Sequence, residues 1–235
     1  MKNHRFLWGL FLLAISPQLF NGFYNPGLLA HPVAFWTVDI LTLAAMPLLL
    51  YGWGLRRGLF TNQDLGLHFQ LPGRRQKVIF LGAMIAMPFL VFYGFWFLMW
   101  LGHYLHYRFF AKGAEDFVFD FSMAVPKQGM EKIIVVFYFS ITGGLAEEFY
   151  YRARPRLLFK SNTFSLVLYL LFSSLVFSLI HWEGGTIKMF VTFFLGLMLS
   201  GAYLMTRNLW PLIFGHFIAN ALLFSGVKLA APWGN

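Results

Sequence analysis

What most constrains this chain is a succession of apolar runs, each about as long as a bilayer is thick, separated by short charged stretches. A spanning helix needs about 20 predominantly apolar residues. Seven stretches meet or approach that length: roughly 6–24, 34–55, 78–102, 132–151, 163–181, 187–206 and 209–229. Of the 235 residues, 59% are hydrophobic, 20% aromatic and only 11% charged. Soluble domains carry about 25% charged residues, so too few remain here to cover a water-facing surface. A soluble enzyme and a disordered chain are excluded. The expectation is an all-α, polytopic membrane helix bundle with about seven transmembrane helices.

The first run is the weakest, because Pro17, Gln18 and Asn21 interrupt its second half. With Lys2 and Arg5 ahead of it, it also reads as a signal peptide. Its only small-residue site, Ala14-Ile15-Ser16, is followed by Pro17, which obstructs cleavage, so an uncleaved first helix is expected.

The net charge of +9 comes from eighteen Lys and Arg against nine Asp and Glu. Basic residues cluster in cytoplasmic loops of membrane proteins, so this excess speaks to orientation and not to nucleic acid. Lys2 and Arg5 precede the first run, and the loop at 25–33 has no basic residue. Arg56, Arg57, Arg74, Arg75 and Lys77 follow the second run. The 103–131 loop mixes Arg108, Lys112 and Lys127 with Glu115, Asp116, Asp120 and Glu131. Arg152, Arg154, Arg156 and Lys160 follow the fourth. Alternation gives a multi-pass protein of the cell membrane with a cytoplasmic N-terminus. There is no cysteine, which removes disulfides, thiolate metal sites and Cys nucleophiles. No repeat or linker divides the chain, so residues 1–235 read as one membrane domain.

Ionisable residues inside spans are costly and tend to be functional. Glu147-Glu148-Phe149-Tyr150-Tyr151-Arg152 is the sharpest such piece. Glu148 and Arg152 are spaced i,i+4 and can pair along one helix face. Glu147 points about 100° away, free to face a cavity, hold a water and act as general base. The same residues also read as an ion pair that merely ends a helix. His181, after Phe177, reads in isolation as an interfacial residue beside Trp182. His216 and Asn220 share one face of the last run; they can donate toward a single point, as an oxyanion requires, or bridge packed helices. His103 and His106 read as interfacial residues, and Asp39 as an interhelical or helix-end polar contact.

Taken together, Glu-Glu-x-x-x-Arg, Phe-x-x-x-His and His-x-x-x-Asn on successive late membrane helices resemble one family. It is the CAAX-protease and bacteriocin-processing intramembrane endopeptidases, related to the type II CAAX prenyl endopeptidase. The resemblance covers roughly residues 130–225, the expected catalytic core. It implies that Glu147 activates the attacking water with His181 beside it. His216 and Asn220 would then stabilise the tetrahedral oxyanion, while Glu148 and Arg152 hold the first motif in place. It also implies a glutamate-type mechanism with no cofactor, with Zn²⁺ on a His₂Glu set as the alternative.

The expected function is therefore endoproteolysis of a membrane-associated or lipid-modified protein or peptide, with the lipid bilayer as surroundings and no nucleic-acid partner. Bacteriocin maturation, sorting-signal removal and CAAX-type processing all fit. A non-catalytic scaffold or self-immunity protein and a small proton-coupled transporter are the competing readings. One conflict stands: the inferred topology starts the fifth helix on Glu147's side of the membrane. Eighteen residues at ~1.5 Å each then carry His181 about 27 Å away.

Overall fold

The computed structural model describes residues 4–69, 73–109 and 119–229, with side chains from Phe6 onward. Lys2, Lys112, Glu115, Asp116 and the side chain of Arg5, all counted above among the loop charges, lie outside the described residues. Every regular element among the described residues is helical. The main helices are α1 (His4–Leu19), α2 (Asn21–Leu29), α3 (Pro32–Arg56), α4 (Gly73–Phe109), α5 (Gly129–Arg156), α6 (Thr163–Leu179), α7 (Gly185–Thr206) and α8 (Trp210–Ser225).

The architecture is thus the all-α membrane bundle anticipated, but seven crossings are not confirmed among the described residues. Four helices, α3, α4, α5 and the stretch Trp182–Thr206 that contains α7, are long and apolar enough to cross a bilayer on their own. A fifth crossing arises if α1 and α2, bent by 40° where they meet, act as one. Helices α6 and α8 have 17 and 16 residues, short of the ~20 that a straight crossing needs.

The weak first run is explained by its bend. Leu7, Phe11, Ala14 and Ile15 of α1 are buried in the main core. The polar residues that interrupt the run do not face lipid: Gln18, Asn21 and Asn25 are buried too. Asn21 Nδ2 donates to the Ile180 carbonyl at 3.4 Å, and Trp182 Nε1 donates to the Leu19 carbonyl at 2.9 Å. Tyr151 Oη also donates to Gln18 Oε1. The bent α1–α2 pair is therefore stitched to α5 and to the end of α6.

Helices α4, α5, α7 and α8 pack through small residues, as membrane helices do when no hydrophobic effect drives them together. A Cβ on Gly144 of α5 would meet the Ile213 carbonyl of α8 at 3.0 Å. One on Gly196 of α7 would meet Ser174 Cα of α6 at 2.9 Å. Sequence signals set the helix starts. Asn162 caps α6 by accepting from Ser165 N at 2.8 Å, and Asn208 accepts from Trp210 N at 3.0 Å ahead of Pro211 in α8.

Helix α5 positions the site. It departs from α-helical winding into π turns at Gly143–Glu147 and again at Phe149–Ala153. Such π segments occur often at functional sites. It also runs on to Arg156, beyond the expected limit of 151, so Glu147 lies within the helix and not at its end. Arg152 and Arg154 are consequently buried, not loop residues, and only Arg156 and Lys160 of that cluster remain to mark a membrane face.

Candidate active site

The α5–α6 hairpin brings the first two motifs together. Tyr169 Oη of α6 donates to the Arg152 carbonyl at 3.2 Å, and Ser173 Oγ donates to the Tyr151 carbonyl. One turn further along α6, the Phe177 ring lies 5.5 Å from the Tyr151 ring and 4.2 Å from the Arg152 guanidinium carbon. Continuing this antiparallel register sets His181 beside the level of Glu147. The 27 Å expected from the sequence took Glu147 to lie at the end of its helix; α5 runs five residues further, to Arg156, which at ~1.5 Å per residue removes about 7.5 Å of it.

Helix α8 supplies the third motif. His216 Nδ1 donates to Glu148 Oε1 at 2.9 Å, while its Nε2 stands 3.6 Å from Glu147 Oε2. Glu148 Oε2 in turn faces Arg152 Nε at 3.4 Å. Both partners of that ion pair are fully buried. A buried charge without a partner is strongly destabilising, so the Phe177 face matters as well as the carboxylate. A desolvated guanidinium over an aromatic ring gains roughly 2 kcal/mol.

The two adjacent glutamates thus face different surroundings. Glu148 is enclosed between Arg152 and His216. Glu147 lines a cavity of about 540 Å³, together with His181, His216 and Asn220. The Phe177 carbonyl accepts from His181 Nδ1 at 2.7 Å, which leaves Nε2 as the ring nitrogen able to accept a proton. The Phe177 ring lies 4.9 Å from the His181 ring and 6.4 Å from the His216 ring, spacing the two imidazoles around one centre.

Several residues of the site escaped the sequence reading. A Cβ on Gly143 would stand 2.8 Å from Asn220 Nδ2 and 3.6 Å from Glu147 Oε1, so a glycine there leaves the amide and the carboxylate room to converge. The Gly143-Gly144 pair ahead of the glutamates was the available signal. Asp39 is an interhelical contact of α3 in mid-helix: it accepts from Tyr138 Oη at 2.6 Å and lines the same cavity. Part of the 103–131 loop lines it too. Lys188 Nζ pairs with Asp120 Oδ2 at 2.5 Å, and the Glu183 carbonyl accepts from Phe119 N at 2.9 Å. Burial alone would raise the Asp120 carboxyl, but Lys188 and the Ser122 hydrogen bonds outweigh it and hold it at about 2.

His103 and His106 stand near the end of α4, away from this cluster, with His103 Nδ1 at 2.8 Å from the Met99 carbonyl. Among the described residues, no three His, Asp or Glu side chains converge closely enough to hold a metal ion.

This arrangement coincides with a known domain. Residues 129–222 match the family model "Type II CAAX prenyl endopeptidase Rce1-like". Over these residues the chain is similar to an Rce1-like domain. The match begins at the first residue of α5 and ends inside α8, so all seven residues of the three motifs fall within it. No curated protein and no solved structure matches the chain. The Rce1-like family is one of CAAX-type proteases acting on membrane-associated substrates, and the helices outside the domain complete a multi-pass membrane protein.

Proposed function

We propose that the chain is an intramembrane endopeptidase of glutamate type, with residues 130–225 as its catalytic core within one membrane domain. The observation that carries this reading is the division of labour between the adjacent glutamates. One is locked into a buried ion pair, and the other is open to a cavity that also holds two histidines and an asparagine.

In this mechanism a water sits between Glu147 and His181 Nε2. Glu147 takes a proton from it as the oxygen attacks the scissile carbonyl carbon. The carbonyl oxygen becomes an oxyanion, stabilised by Asn220 Nδ2 and by His216 Nε2–H when that ring is doubly protonated. Donors of this kind, fixed in place before reaction, contribute several kcal/mol to such steps. As the C–N bond breaks, Glu147 passes its proton to the leaving nitrogen, giving a carboxylic acid and an amine. Glu148 and Arg152 act behind the site by holding the His216 ring in register. No step of this scheme needs a metal ion.

The substrate is a membrane-associated or lipid-modified protein or peptide, cut at bilayer depth. The surviving loop charges favour a cytoplasmic N-terminus in the cell membrane. The test is to compare membrane proteins in cells producing the wild-type chain or Glu147→Ala at equal levels. An uncut precursor accumulates in the variant if the reading holds, and undiminished processing rejects it. Processing by the purified wild type that survives a strong chelator supports the metal-free route; loss restored by Zn²⁺ rejects it.

A further inference from the structure

A second cavity, of about 480 Å³, shares no lining residue with the first. It lies where the end of α5, the end of α7, the start of α4 and the 61–69 loop meet. Its wall is rich in hydrogen-bond donors: the guanidinium groups of Arg156 and Arg207, with His68, Gln63, Gln76 and Tyr203. Among the described residues the lining holds one carboxylate, Asp64, which accepts from Thr61 N at 2.9 Å.

Neither arginine makes an ion pair among the described residues. Arg156 gives Nη1 to the Phe159 carbonyl at 2.7 Å and Nη2 to Ser161 Oγ at 2.9 Å. Its Nε is buried with no hydrogen-bond partner. Arg207 caps the end of α7 in the left-handed conformation (φ 50°), its N–H donating to the Tyr203 carbonyl at 2.8 Å, which fixes where its guanidinium departs from the helix. Its Nε is held to the Leu204 carbonyl at 3.1 Å.

The surroundings fit a membrane surface. Arg56 and Arg57 end α3, and Arg74, Arg75 and Lys77 open α4, all exposed. Phe69 is 73% exposed and stacks on Trp210 at 5.1 Å, the kind of aromatic pair found at the lipid–water boundary. Basic pockets between spans at such a boundary suit anionic lipid headgroups, and dense basic clusters beside spans add attraction to an anionic leaflet. This is the part of the +9 charge that the catalytic site leaves unused.

We propose that this cavity binds the phosphate of an anionic lipid headgroup, between Arg156 and Arg207. The same chemistry suits free phosphate, and the test separates them. The full-length protein, stripped in neutral detergent, is offered phosphatidylglycerol, phosphatidylcholine or inorganic phosphate, and bound lipid is read by native mass spectrometry. Phosphatidylglycerol is retained several-fold over phosphatidylcholine. Arg207→Asn, which tolerates the left-handed backbone, and Arg156→Gln each lower that retention about tenfold, as loss of one charge-assisted contact implies. Arg56→Gln and Arg57→Gln do not. Melting temperatures without lipid identify any variant that fails to fold, and Arg207→Asn alone then decides. Equal retention of both lipids, undiminished retention in Arg207→Asn, or an equal fall in the Arg56 and Arg57 controls overturns the site. Stabilisation by inorganic phosphate equal to that by phosphatidylglycerol overturns the lipid assignment. The readout does not involve proteolysis, so it stands or falls apart from the function proposed above.

Discussion

The two halves of the molecule use apolar sequence for opposite purposes. Helix α4 is the most apolar span, yet only 17% of its central window is buried within the protein; α5 is the least apolar of the four, and 61% of its window is buried. Lipid is as apolar as any side chain, so nothing drives α4 to hide its leucines and phenylalanines. Charged and polar groups, in contrast, must be enclosed, because an unsatisfied one in hydrocarbon costs several kcal/mol. In a membrane protein the residues that reveal the interior are therefore the polar ones. Here they gather in α5, α6 and α8, with Asp39 and the bent α1–α2 pair brought alongside.

The largest effect that tests this contrast belongs to Glu147. Glu147→Gln keeps the shape and removes the base, and should lower turnover about a thousandfold with little change in thermal unfolding. Glu148→Gln should act on the fold: it strands the Arg152 cation in a fully buried place, a loss of roughly 3–5 kcal/mol visible in a melting curve. Gly143→Ala should reduce kcat about tenfold or more by pushing Asn220 off the oxyanion position, since small misplacements of positioning groups are costly. A near-normal kcat would mean the amide does not act there.

Smaller effects probe the edges of the comparison. Asp120 has its carboxyl lowered to about 2 in the folded protein, against an ordinary 3.8. Its contribution is therefore complete above about pH 4 and lost as pH falls toward 2. Asp120→Asn should cost at most about 1 kcal/mol, the range of a partly exposed ion pair, and should remove that acid dependence. Smallest of all, Leu81→Ala on the exposed face of α4, where Leu81 is 59% exposed, should change stability by less than about 0.5 kcal/mol. A loss of 2 kcal/mol or more would place that face against protein.

The same contrast decides what was legible in the sequence. The bundle class could be read from the apolar runs, and Glu147 and Glu148 stood out as candidates because ionisable groups in such runs are rare, whereas His181 joined the candidate site only through the family resemblance. Spacing alone already separated Glu147 from Glu148. The number of crossings was not legible, because a run such as 163–181 reads equally as a full span or as a short helix packed inside protein. The polar residues Gln18 and Asn21 made the first run look weak, whereas they are buried partners of Tyr151 and Ile180. Arg152 and Arg154 counted as loop charges because nothing in spacing tells an enclosed guanidinium from a solvated one. The end of α5 was misplaced for the same reason, and that accounts for part of the separation expected between Glu147 and His181.

The central claim is that adjacent glutamates carry separate tasks, one chemical and one structural. The most direct measurement is cleavage of a prenylated peptide or a native precursor by purified wild type, Glu147→Gln and Glu148→Gln, each with its melting temperature. The account predicts that Glu147→Gln melts like wild type and is about a thousandfold slower, whereas Glu148→Gln melts markedly lower. Wild-type cleavage by Glu147→Gln, or equal destabilisation by both substitutions, would contradict it.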